Sequence, residues 1–201
     1  SMTIQRLDHL VLAVQDITDA LAAWQRTLDL PAGPPEHPDR TRMLLATLPL
    51  ADEIPIGGVR PGPRNYQWRP TQPATLVWVE ALDGGDPRKK VAHRDRILML
   101  EAPFTAPPTG LEKTEHRFQA LTWTERPDVA LVREYQASRR WNRTWLLNPN
   151  APAEPSRLLW DLSAQDRYSD PGTPMLRPLT NGFRVARVHE GSLYLIGAGA
   201  T

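Results

Sequence analysis

The chain has 201 residues with 24 basic and 23 acidic side chains, so its formal net charge is only +1. Charges of both signs alternate along the sequence, which excludes the basic stripe typical of nucleic-acid-binding or membrane-surface proteins. Because the chain has no cysteine, disulfides, thiolate metal sites and cysteine nucleophiles are excluded as well.

Apolar runs in the sequence are short, of the length that a strand needs rather than a membrane span. No signal or transmembrane segment is recognisable. We therefore expect a cytoplasmic protein whose partners include neither nucleic acid nor membrane.

The first predicted elements are a strand over residues 7–14, "LDHLVLAV", and a helix over residues 17–28. The strand alternates between two faces, and the apolar residues of the helix recur at helical spacing. We expect the helix to cover the face that carries Leu10, which leaves His9 on the opposite side of the sheet.

A second strand is predicted at residues 42–48, and a long Pro- and Gly-rich insertion follows at residues 49–73. This insertion contains Tyr66 and Trp68, and it is predicted either as a lid or binding loop or as a plain surface excursion. Strands are predicted to resume at residues 74–80 and 96–101.

The sequence "TAPPTG", residues 105–110, interrupts the chain near its middle, and the order of elements then begins again. A helix is predicted at residues 127–139, with proline in its first turn. Strands are predicted on both sides of it, at residues 118–124, 143–147, 157–162, 183–188 and 192–197.

This weak repeat predicts an α+β fold of two βαβββ modules. The first module is predicted to span residues 2–104, and the second residues 111–201 with an insertion at 163–182. We expect the modules to form a cup-shaped mixed sheet with its helices on the outside.

Residues 7–31, "LDHLVLAVQDITDALAAWQRTLDLP", resemble the opening strand and helix of the vicinal oxygen chelate superfamily, which includes glyoxalases and bleomycin resistance proteins. The segments "ILMLEAP" and "LYLIGAG" resemble the last strands of that family's two modules. The resemblance implies a site inside the cup, commonly a divalent metal held by His, Gln or Glu.

The four positions that match the family's metal ligands hold His9, Leu98, Leu121 and Tyr194. One imidazole, two aliphatic side chains and one phenol do not supply the three or four donors that a metal needs. We therefore expect no metal and no other cofactor. Only shifted strand registers would supply further donors, and these are Glu101, His116, His189 and Glu190.

Without a metal, His9 is either a hydrogen-bonded core residue, a general acid or base, or a group that hydrogen-bonds a ligand. Tyr194 is either its partner as acid or oxyanion donor, or a packed aromatic residue. Tyr66, Trp68 and Trp123, with Leu98 and Leu121, are predicted to line an apolar pocket.

The function that the resemblance implies is therefore metal-independent acid/base chemistry, by an isomerase, cyclase or lyase, on an apolar or aromatic metabolite. Two alternatives stay open, a protein that only sequesters a small-molecule ligand and a metal-dependent lyase or dioxygenase. Whether the cup closes within one chain or in a homodimer is open too.

Overall fold

The computed structural model describes residues 54–197, and this part of the chain contains strands and no helix. The predicted α+β class is therefore wrong: no helix covers the outside of a sheet within the described range. The predicted elements at residues 7–28 and 42–48 lie outside that range.

The fourteen strands of the described residues are β1 (Arg64–Trp68), β2 (Thr75–Ala81), β3 (Asp95–Glu101), β4 (Thr109–Thr114), β5 (Arg117–Trp123), β6 (Ala130–Gln136), β7 (Trp141–Leu147), β8 (Arg157–Ser163), β9 (Thr173–Pro174), β10 (Leu176–Pro178), β11 (Arg184–Ala186), β12 (Val188–His189), β13 (Ser192–Leu193) and β14 (Leu195–Ile196).

Strands β1 to β4 form the first sheet, an antiparallel meander in which each strand pairs with the next in the chain. The turn between β2 and β3 needs glycine at position 85, where φ is 81° and an added Cβ would lie 1.9 Å from the Val59 carbonyl oxygen. The predicted strands at 74–80 and 96–101 are confirmed as β2 and β3.

Strands β5 to β8 form the second sheet, with the same meander order. Its third and fourth strands confirm the predictions at 143–147 and 157–162. The helix predicted at 127–139 is wrong, because residues Ala130–Gln136 pair with strands on both sides. Cross-strand pairing on two edges outweighs the weak helical preference of this segment.

The two sheets share one apolar core, which we call the shared core. It joins one face of the first sheet to one face of the second, and it includes Val77, Ile97, Phe118, Trp123 and Val132. A second apolar cluster lies on the opposite face of the first sheet, around Leu76, Trp78 and Leu98. The period of two along a strand produces both clusters, since neighbouring residues point to opposite faces.

A buried ionic network closes one end of the first sheet. The carboxylate of Asp95 accepts hydrogen bonds from Arg64 (2.6 Å), Arg117 (2.7 Å) and the Phe118 backbone amide (2.7 Å). The carboxylate of Asp83 accepts hydrogen bonds from Arg117 and Arg94. Because Arg117 lies on β5, this network also ties the second sheet to the first.

Strands β9 to β14 form three two-stranded ladders. They adjoin the second sheet through a parallel bridge between Thr124 and Ala186, and Val185 enters the shared core. The segments predicted at 183–188 and 192–197 do contain strands, each shorter than expected.

Within the described residues, two consecutive four-stranded meanders pack face to face through the shared core. The chain therefore does repeat, but the repeating unit is a meander without a helix. The predicted module boundary at 105–110 covers part of the β3–β4 connection and the first two residues of β4, within the first sheet.

Candidate functional site

A cavity of about 380 Å³ lies where the two sheets meet. It is bordered by the loop before β3, by β4 and the residues that follow it, and by β6 and β7. Its lining residues are Ala92, His93, Glu112, Lys113, Glu115, Glu134, Trp145 and Ser156. Five of these eight side chains are ionisable, so charged groups surround the cavity although it borders an apolar core.

Glu134 is the most deeply placed ionisable residue of this cavity, with no exposed surface. It shares a face of β6 with Ala130 and Val132, so the strand itself turns it towards the shared core. Its Oε2 accepts a hydrogen bond from the His116 backbone amide (2.7 Å), and its Oε1 accepts one from the Trp145 indole nitrogen (2.9 Å). Both of these donors are uncharged.

Glu115 and His116 form the short connection between β4 and β5, which carries the chain from one sheet to the other. One nitrogen of His116 and one carboxylate oxygen each from Glu115 and Glu134 all lie within 4.8 Å of one another. We call these three residues the carboxylate–imidazole cluster. The Nε2 atom of His116 is buried and has no hydrogen-bond partner.

Arg143 stands beside this cluster, directly across the strand pair from Glu134. Its guanidinium donates a hydrogen bond to Glu115 and a longer one, 3.4 Å, to Asp161. Burial lowers the pKa of Arg143, but the hydrogen bond to Glu115 and the charges of Asp161, Glu115 and Glu134 outweigh burial and raise it. Arg143 therefore stays a fixed positive charge.

The chemistry available to this cluster is that of one imidazole and two carboxylates, the donors that Zn²⁺ and similar divalent cations accept. The same groups transfer protons in many enzymes. A serine nucleophile is not part of the arrangement: within residues 54–197 no serine hydroxyl is hydrogen-bonded to a histidine ring.

Three of the predicted pocket residues lie together in the second apolar cluster. Leu98 is buried there, and Tyr66 and Trp68 pack against it. The ring of Tyr66 lies 6.4 Å from that of Trp78, and the ring of Trp68 lies 6.2 Å from that of Phe104. Burial raises the pKa of the Tyr66 hydroxyl, with a smaller opposing effect from Arg60. Their role in ligand binding stays a prediction.

Trp123 and Leu121 lie on β5, in and against the shared core, and so belong to the other apolar cluster. The indole nitrogen of Trp123 donates a hydrogen bond to Gln67 (2.8 Å), and the guanidinium of Arg69 lies 5.9 Å from the ring centre. The structure therefore places these two residues apart from Tyr66, Trp68 and Leu98.

Tyr194 lies between β13 and β14, and its ring stacks 4.9 Å from the guanidinium of Arg187. His9, its predicted partner, is outside the described residues. The alternative metal donors do not converge either. Glu101 accepts a hydrogen bond from Gln72, and the exposed His189 lies 3.7 Å from Glu190.

His116 is the one predicted alternative donor that the structure places among other ligand-type groups. Glu134, its buried neighbour, was not predicted, because residue 134 fell in the expected helix. Strand alternation in "ALVREYQ" is the signal that would have found it: Glu134 shares a face with Ala130 and Val132.

Residues 54–197 thus form a region of antiparallel β-sheets with a candidate site where the two four-stranded sheets meet. Comparison with known proteins gives two relatives. The chain is 40% identical over 166 residues to a probable chloroplastic glutamyl endopeptidase of Oryza sativa subsp. japonica, covering 78% of this chain and 18% of that protein. It is 39% identical over 167 residues to the protein of the same name from Arabidopsis thaliana, covering 78% of this chain and 17% of that protein.

The chain thus spans less than a fifth of the length of these curated relatives. No family model matches it, and no solved structure gives a significant match. Within residues 54–197 there is also no helix that could cross a membrane.

Proposed function

We propose that this chain is a non-catalytic β-sheet region of a peptidase-related protein. The observation that carries the proposal is the identity of about two fifths to two proteins named as glutamyl endopeptidases. The matched region leaves more than four fifths of each relative outside it. The proposal therefore places the catalytic groups of those relatives outside the matched region.

The architecture supports this role. Four-stranded meanders present loops at their ends, and such loops can form a binding surface. The described residues hold no serine–histidine–carboxylate chain of hydrogen bonds, in keeping with a supporting role. We expect the two sheets to help form the surface that a peptide substrate meets.

A chimera tests the proposal. The matched region of the rice relative is replaced by the corresponding residues of this chain, and cleavage of a peptide with a single glutamate is followed by mass spectrometry. We expect the chimera to cleave after glutamate as the unaltered rice protein does, and the 201-residue chain alone to cleave nothing.

Two controls make the result specific. A chimera that also carries Asp95→Ala should lose activity, because that change disrupts the buried network. Cleavage by the isolated chain, or a folded but inactive chimera, would contradict the proposal.

The glyoxalase-like function stays a prediction that neither the structure nor the comparisons test. Its sequence basis, residues 7–31, lies outside the described range, and the outer helices that it implied are not found within residues 54–197. We therefore favour the peptidase-related role.

A further inference from the structure

We propose that the carboxylate–imidazole cluster, Glu115, His116 and Glu134, binds a divalent cation, with Zn²⁺ as the preferred ion. The inference goes beyond the proposed function, because neither a β-sheet platform nor a peptidase relative requires a metal at the sheet junction. It rests on three observations about these residues, which concern the imidazole, the buried carboxylate and their spacing.

The first observation concerns the imidazole of His116. Its Nε2 atom is buried and has no hydrogen-bond partner. A buried polar atom without a partner costs free energy, and such atoms are rare in folded proteins. A metal ion bound to the ring would satisfy this histidine in a way that no side chain of the described residues does.

The second observation concerns the carboxylate of Glu134. This side chain is fully buried, and its two hydrogen-bond donors, a backbone amide and an indole, are uncharged. Removing a negative charge from water is very costly unless a positive charge lies beside it. Arg143 contributes charge from the neighbouring strand, but it makes its hydrogen bonds to Glu115 and Asp161.

The third observation is the spacing of the donors. The three ligand atoms lie within 4.8 Å of one another. Zn²⁺ bonds nitrogen and oxygen at about 2.0–2.2 Å in tetrahedral geometry, so two donors on one ion lie about 3.3–3.6 Å apart. A side-chain movement of at most about 1.5 Å brings the donors to this spacing. Glu115 can make this movement, because 57% of its side chain is exposed.

The movement has a consequence for Arg143. Glu115 must leave the guanidinium to reach the metal, and Arg143 then keeps Asp161, which already lies 3.4 Å away. Arg143 and the metal thus compete for one carboxylate. The adjoining cavity supplies water for the remaining coordination position, the usual complement of three protein ligands on zinc.

A calorimetric titration of the untagged, chelator-treated 201-residue chain with zinc chloride tests the proposal. We expect one ion per chain. The variants Glu115→Gln and His116→Asn should bind at least about tenfold more weakly, since each removes a donor. His189→Asn is the matched control, because that exposed histidine also stands beside a glutamate, and it should bind like the parent chain.

A fourth variant tests the competition. Arg143→Gln releases Glu115 and should bind zinc several-fold more tightly, a gain that general loss of structure would not produce. Glu115→Gln keeps the test valid if other changes impair folding, because its side chain is largely exposed. Absence of stoichiometric binding, or equal affinity in His116→Asn and His189→Asn, would overturn the proposal.

Discussion

The two sheets have the same strand order but use their faces differently. The first sheet is apolar on both sides, with the shared core on one face and the cluster around Leu76, Trp78 and Leu98 on the other. On the second sheet the face that enters the shared core ends in a row of charges, Glu134, Arg143 and Asp161, on three adjacent strands.

This difference shows that one topology serves two purposes according to which residues occupy alternate positions. The first sheet is filled with apolar side chains, so its contribution is stability. The second sheet places a carboxylate at the edge of the core, where a neighbouring connection adds an imidazole and a second carboxylate. We therefore assign support to the first sheet and the proposed cation site to the second.

The largest expected effect comes from the ionic network of the first sheet. Asp95→Ala should lower the free energy of unfolding by about 3–5 kcal/mol, because it leaves the buried Arg64 and the partly buried Arg117 without their shared carboxylate. Urea denaturation followed by tryptophan fluorescence measures it. Asp128→Ala, at an exposed ion pair with Arg126, should change stability by at most about 1 kcal/mol. Equal effects would show that the network does not hold the sheets.

The next largest effect on stability is expected where an apolar side chain of the shared core is truncated. Ile97→Ala removes a fully buried side chain from the shared core and should cost about 2–5 kcal/mol. Leu158→Ala, on the second sheet, should cost well under that, about 0.5 kcal/mol, since 42% of Leu158 is exposed. Comparable losses in the two variants would show that burial in the shared core does not set the stability of the protein.

A smaller effect is expected where the first strands of the two sheets meet. Trp123→Phe removes the donor to Gln67 and should cost about 1 kcal/mol for the lost hydrogen bond. Tyr168→Phe, at a 95% exposed position, serves as the control and should leave stability within about 0.5 kcal/mol. If the unfolding midpoint of Trp123→Phe matched that of the control, the hydrogen bond to Gln67 would contribute nothing to stability.

The pH dependence of stability tests the Asp83 part of the network. Burial raises the pKa of Asp83, but hydrogen bonds from Arg117 and Arg94 outweigh burial and hold it below its usual value. A carboxylate with a lowered pKa in the folded state stabilises the protein above its unfolded pKa, about 3.9, and this contribution is lost as the pH falls through the folded value. Unfolding midpoints between pH 7 and pH 3 should fall less steeply in Asp83→Asn than in the parent chain. Parallel curves would contradict this.

Five strands could be predicted from the sequence, because apolar residues recur along each of them without a break. They are β2, β3, β5, β7 and β8. The segment Ala130–Gln136 could not, because alanine, leucine and glutamate favour a helix locally and only its two strand partners make it extended. The strand Arg64–Trp68 lies among prolines and glycines and depends on its pairing with β2 in the same way.

The candidate site was partly predictable. His116 stands out as a possible ligand by its residue type alone. Glu134 lies beside His116 only when β6 is extended and pairs with β5. That pairing brings the His116 backbone amide within hydrogen-bond distance of the Glu134 carboxylate. Local sequence carries no record of such pairing, so the wrongly predicted helix hid Glu134.

Amide hydrogen exchange of the 201-residue chain with and without zinc tests the division between the sheets most directly. The account predicts that zinc slows exchange in the β4–β5 connection and in β6 and β7, around Glu115, His116 and Glu134, and leaves β2 and β3 unchanged. Protection that appears in the first sheet instead, or nowhere in these segments, would contradict it.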